Sequence, residues 1–255
     1  MTRTSHRTVI GAVALSLAFF AAACGTSSGS DSAKKETTTT AKAADESTTT
    51  TTAADDDGEA TDPDAQARAD SVDLTVSDFP DGWEATPGSD SDEESPLNDC
   101  DPRLGDRSVQ LARHSTDEFS VGSMDAGDGT QVTARTVVFE DETAAEDAVA
   151  PFTEPDVISC IDDALKSAFS AGGQDVTVEG TLGLGDATFD VDDTVALSAS
   201  YTLTAGDGST LDLNFGVLVL RVGDIATNVV VQSVDPDFDV TTLPIDTLVE
   251  QLNAA

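Results

Sequence analysis

Thr194–Val234 reads TVALSASYTLTAGDGSTLDLNFGVLVLRVGDIATNVVVQSV, and its alternation decides the fold. Val195, Leu197, Ala199, Tyr201 and Leu203 take every second position with Ser, Thr and Ala between them, the period of a half-buried strand. Ala205-Gly206-Asp207-Gly208 supplies turn chemistry, after which Leu211, Leu213, Phe215, Val217 and Val219 resume the alternation. Gly223-Asp224 makes a second tight turn before Ile225–Val234. Both faces of Val217–Leu220 are apolar, so that strand is central. Three strands joined by two short turns make an antiparallel meander.

Working outward, Val176–Leu184 reads as a fourth strand, and Val109–Val121 and Gln131–Phe139 form an earlier hairpin around the Gly122–Thr130 loop. Helices fall between these groups. Asp141 caps one that runs to about Ala150, where Pro151 stops it. Thr153, Pro155 and Asp156 give a start signal for a second, in which Ile158, Ile161, Leu165 and Phe169 recur at helical spacing until Gly172-Gly173. A last helix covers Leu243 to about Leu252. The expected class is α+β: an antiparallel sheet of about six strands with helices on one face.

The N-terminal part is of another kind. Arg3 and Arg7 precede an uninterrupted run of apolar and small residues, Val9–Ala23, whose 15 residues fall short of the roughly 20 needed to span a bilayer. A basic n-region, an apolar h-region and small residues before a cleavage point read as a secretory signal over residues 1–23. Cys24 at that point resembles the lipobox of bacterial lipoproteins, although Ala21 stands where Leu is usual. The resemblance implies diacylation of the Cys24 thiol and attachment to the outer leaflet of the cytoplasmic membrane. Residues 24–70 are dominated by Ser, Thr, Ala and Asp and have no large apolar residue before Asp70, so they are expected to form a disordered stalk. A coil of that length spans roughly 35–40 Å. Residues 71–255 then form a single acidic domain.

That domain carries 38 acids against 6 bases, a net of −32. Such a surface repels phosphate backbones, which excludes nucleic acid as a partner. Three accounts of the excess compete: adaptation to salt, divalent-cation binding and a cationic partner. The first is preferred, because lysine is reduced to Lys166 and Asp outnumbers Glu. With Cys24 assigned to lipid, Cys100 and Cys160 leave one intramolecular pairing in an exported chain. It would tie the second helix to an irregular segment.

No constellation reaches the standard of an active site. His114 and Ser115 are adjacent on a strand and point to opposite faces, so they cannot act as base and nucleophile. Acids cluster at Asp90–Glu94, at Asp125 and Asp128, at Asp190, Asp192 and Asp193, and at Asp235, Asp237 and Asp239, without completing an EF-hand loop. No catalytic, metal or cofactor site is therefore assigned. The scarce cations Arg113 and Arg135 lie on the early hairpin, Arg135 about opposite Ser115 or Asp117. They are candidates for a cross-strand pair or for an anion pocket. Trp83 and Tyr201, each the sole residue of its kind, complete the ligand-binding candidates.

The chain resembles secreted and lipid-anchored actinobacterial proteins of unassigned function. The shared features are the lipobox, a Thr/Asp stalk, a Phe-Pro-x-Gly-Trp opening at Phe79–Trp83, a first cysteine at Cys100, a strand ending Val138-Phe139-Glu140, an Ala-rich helix and a second cysteine at Cys160. It is also similar to the extracellular sensor domains of mycobacterial Ser/Thr kinases. These resemblances imply a binding or sensing module in the cell envelope, taking an envelope protein or a small amphipathic ligand, rather than an enzyme. A carboxylate-based envelope hydrolase is the alternative.

Overall fold

The computed structural model describes residues 62–88, 96–171, 176–238 and 240–255, all within one compact unit. The signal and most of the stalk, with Cys24, lie outside the described residues, as do Asp90–Glu94, Gly172-Gly173 and Asp239.

The meander forms as its alternation demands. Strands β1 (Glu84–Thr86), β2 (Gln110–Ser115), β3 (Glu118–Val121), β4 (Thr130–Phe139), β5 (Thr177–Glu179), β6 (Gly183–Leu184), β7 (Asp193–Thr204), β8 (Thr210–Val222) and β9 (Ile225–Ser233) make one antiparallel sheet. Its order is β1-β3-β4-β9-β8-β7-β5, with β2 also beside β4 and β6 also beside β7. Six of the nine have four or more residues, which matches the expected number. The early hairpin forms around β4, but its first arm breaks at Thr116-Asp117 into β2 and β3. Buried Thr116 holds that break, its Oγ1 accepting from Ala134 N at 3.1 Å.

The expected fourth strand breaks too, at Gly180. With φ 132° that residue lies where only glycine is comfortable, and a Cβ would run into Ser200 O and the Tyr201 ring. The chain approaches β7 closely there and continues along the same edge, in the same register, as β6. Gly180→Ala should therefore cost about 2–3 kcal/mol, read as a lowered urea midpoint with an unchanged slope. A cost within error would show that the approach is not tight.

Four helices pack on the sheet: α1 (Pro63–Ser71), α2 (Glu142–Val149), α3 (Pro155–Ser170) and α4 (Ile245–Ala254). Asp141 caps α2 through Ala144 N at 2.9 Å. For α3 the N-cap is Glu154 rather than Thr153, whose hydroxyl donates back to Ala150 O. The α+β class is as the sequence indicates, but the helices are not on one face. Ala65, Ala69, Leu248 and Leu252 of α1 and α4 pack with Val132, Val138, Leu220 and Val229 on one side of the sheet. Ala145, Val149, Ile158, Ile161, Leu165 and Phe169 of α2 and α3 pack with Val195, Leu197, Phe215 and Val219 on the other. A sheet apolar on both faces needs a layer against each, because either face left bare would forfeit roughly 1.5–3 kcal/mol per large side chain.

The folded part also begins by Asp62, not Ser71. Asp62 caps α1 through Asp64 N and Ala65 N, and Ala65 and Ala69 are buried. Arg68 grips Asp224 in the β8–β9 turn with two bonds of 2.8 and 2.5 Å. Alanines can anchor a helix where the gap is narrow, and such a helix leaves no large apolar residue in the sequence. Among the described residues no helix is long and apolar enough to cross a membrane.

Candidate functional site

The most ordered polar centre lies where α3 meets β7. Asp162 occupies the apolar stripe of α3, between Ile158, Ile161 and Leu165, and is buried. Its Oδ1 accepts from the Tyr201 hydroxyl at 2.6 Å and from Leu182 N at 3.1 Å, and its Oδ2 from Lys166 Nζ at 2.7 Å. Burial pushes the carboxyl up, but the bonds from Lys166, Tyr201 and Leu182 outweigh it and hold Asp162 below the usual carboxylate range. Burial, then the hydrogen bond to Asp162 and its charge, raises Tyr201 well above the ordinary phenol value. Tyr201 is fully buried against Phe169. Asp162 thus binds α3 to β7 and to the chain leaving Gly180.

Next to this centre an open notch of about 280 Å³ separates the first turns of α3 from β6. Pro155, Ile158, Ser159 and Asp162 line one wall and residues 181–184 the other. A second hollow, about 340 Å³, is lined by Asn98, Pro102, Gly105, Asp106 and Arg107. There the Asp106 carboxylate is engaged by Ser108 N and Oγ at 2.9 and 2.6 Å. The notch joins apolar side chains to a strand edge and so has more to offer a ligand.

The structure brings together two of the four ligand-binding candidates. Ser115 is directly opposite Arg135 and Arg113 is opposite Val137, so both arginines share the α2/α3 face of neighbouring strands. Arg135 Nε donates to Ser115 Oγ at 3.1 Å. Trp83 lies on the opposite side, its ring 4.6 Å from that of Phe79, which in turn lies 4.5 Å from buried Phe119. The Phe-Pro-Asp-Gly-Trp turn thereby closes the edge of the α1/α4 core. Tyr201 belongs to the Asp162 centre.

His114 faces α1, with Nε2 3.1 Å from Asp73 and Nδ1 3.3 Å from Asp70, while Ser115 faces Arg135. The two residues point apart as strand geometry requires. Cys100 and Cys160 are joined in a disulfide. The other cations close structural joints: Arg103 with Asp101 and Glu154, and Arg221 with Asp193 at 2.5 Å and with Gly223 O at 2.9 Å. Asp235 accepts from Asp237 N at 2.9 Å within its own turn. Among the described residues no three His, Cys, Asp or Glu side chains converge as a metal site would need. With 38 acids against 6 bases in residues 71–255, sodium chloride should raise the melting temperature by several degrees through screening of like charges. Micromolar calcium should not, and a large calcium shift without one from sodium would point to a specific site instead.

No protein-family model matches the chain, and no curated protein matches it. Among solved structures it is similar to the extracellular domain of PknH from Mycobacterium tuberculosis, at 13% identity and a TM-score of 0.46, over 75% of this chain and 97% of that one.

Proposed function

We propose that the chain is an extracytoplasmic binding or sensing module of the cell envelope, held to the outer leaflet of the cytoplasmic membrane by lipid on Cys24. The observation that carries the binding reading is the notch: an open, mainly apolar recess whose one carboxylate, Asp162, is ionised and fully engaged. A carboxylate-based hydrolase needs a carboxylic acid kept protonated by its surroundings, facing a second carboxyl across a cleft. Among the described residues every carboxylate with a displaced pKa, Asp101, Asp106, Asp162, Asp207 and Asp224, is displaced downward. That favours a surface that receives over one that cleaves. The Cys100–Cys160 disulfide supports an oxidising compartment, and the signal and Ala-Ala-Ala-Cys order support the anchor.

The test uses native envelope material. The purified chain is expected to retain an envelope partner or a small ligand and to leave wall polysaccharide intact; turnover of polysaccharide with nothing retained would reject binding in favour of hydrolysis. In the same cells a fatty-acid probe should label the wild type and not Cys24→Ala. Equal labelling would remove the anchor.

A further inference from the structure

We infer that the notch accepts an extended, positively charged peptide segment with one apolar side chain, which adds as a strand to the open edge at Leu184. This names a ligand class for the recess above and rests on the binding reading.

Backbone direction comes first. Gly183 is paired with Ser198 and Leu184 with Leu197, and Gly185 N donates to Ala196 O at 2.8 Å. In an antiparallel ladder alternate residues turn their N–H and C=O toward the partner and away from it. Gly183 and Gly185 therefore face β7, and Leu182 and Leu184 face outward. Leu182 confirms the direction, because its N–H reaches Asp162 on α3 at 3.1 Å. One pleat further along, Leu184 turns its N–H and C=O to that same outer side, where the notch opens. Its side chain is 60% exposed, among the largest apolar exposures of the described residues. Strand β6 pairs with β7 alone, so its other edge carries no strand. Exposed edges of this kind are where strands are added.

Charge selects the occupant. Asp156 and Asp163 on α3, Glu179 on β5 and Asp186 after β6 are all exposed, each within a few residues in sequence of a residue lining the recess. The only base between residues 155 and 186 is Lys166, and it is engaged by Asp162. An acidic segment, including a second copy of this chain, is repelled, whereas a basic one is drawn in. The volume is below that of drug-sized sites. It suits one aliphatic side chain with the backbone that carries it.

The experiment titrates the capped peptide Lys-Lys-Leu-Lys-Lys into the full chain at about 150 mM salt, where diffuse attraction is largely screened, and follows backbone amide resonances. Shifts are expected to concentrate at residues 181–185 and on the first turns of α3. Affinity should fall about tenfold or more for Leu184→Ser, which removes the apolar contact without changing the charge and whose melting temperature should match the wild type because the site is exposed. It should fall likewise for a peptide N-methylated at the leucine and its neighbours, which cannot donate to a strand edge, and vanish for Glu-Glu-Leu-Glu-Glu. Shifts scattered over the acidic surface, or equal binding by Leu184→Ser or by the N-methylated peptide, would overturn the inference. Retention of a different ligand by native material, together with no peptide binding, overturns this inference and leaves the binding reading standing.

Discussion

Asp162→Ala is expected to destabilise the domain by about 3–5 kcal/mol, the usual cost of removing one partner from a buried ionic cluster. The carboxylate satisfies three donors at once, the Tyr201 hydroxyl, Leu182 N–H and Lys166 ammonium. Lys166 can swing to solvent, but the phenol and the amide belong to buried residues and both donate to Asp162 Oδ1. For a domain of this size the loss corresponds to a melting temperature lower by roughly 10–15 °C. Asp162→Asn should cost less, because its carbonyl still accepts from Tyr201 while its amide turns donors toward Lys166. The pH dependence follows from the two displaced groups. Asp162 is depressed in the fold, so its contribution is present above the ordinary carboxylate pKa near 4 and is lost as pH falls below it. Tyr201 is raised in the fold, so its contribution is present below the ordinary phenol pKa near 10 and is lost as pH rises past it. Urea melts of wild type and Asp162→Ala between pH 2 and 9 should therefore differ most on the plateau and draw together toward the acid end, where the Asp162 contribution is lost. A plateau difference below about 1 kcal/mol, the scale of an exposed ion pair, would show that the cluster does not hold α3 to β7.

The sequence held a sign of this centre. Asp162 falls four residues after Ile158 and three before Leu165, on the stripe that predicts the buried face of α3, with the domain's only other-than-arginine base, Lys166, one turn on. An acid on an apolar stripe followed by Lys at i+4 marks a buried, paired carboxylate. What was illegible is its partner, since Tyr201 is 39 residues away and only the register of β7 brings the hydroxyl in.

The same division runs through the fold. Alternation placed β7, β8 and β9, and counting residues along the hairpin put Arg135 opposite Ser115 or Asp117, of which the register selects Ser115. The two apolar faces of Val217–Leu220 already required cover on both sides, so helices on both faces were within reach of the pattern. Helix α1 was not, because its contacts are alanines and one ion pair set in a composition continuous with the stalk. The notch depends on the close approach of Gly180 to β7 and on which way Leu182 turns its amide, and neither leaves a periodic trace.

Removing the Cys100–Cys160 bridge as the double serine variant is expected to cost about 4 kcal/mol, because the bond closes a loop of 60 residues in the unfolded chain. The double variant avoids leaving a reactive thiol. The loss should be unevenly spread. Cys100 lies between two short 3₁₀ turns, Pro96–Asp99 and Pro102–Gly105, whose Leu97 and Leu104 pack against the α2/α3 core. Besides the bridge, the Arg103–Glu154 contact at 2.7 Å ties this segment to the start of α3, and it is exposed enough to add little. Hydrogen exchange should therefore quicken first in residues 97–107 and in the early turns of α3, while β7, β8 and β9 keep their protection until global unfolding. Because Ser159 of the notch is adjacent to Cys160, loosening that turn should also weaken any ligand held there, so affinity and stability should fall together. Arg103→Ala supplies the control, since it removes the exposed ion pairs and leaves the covalent bond. If the double serine variant melts within about 1 kcal/mol of the wild type, or exchanges uniformly faster, the bridge does not organise this corner of the domain and the core contacts of Leu97 and Leu104 hold it instead.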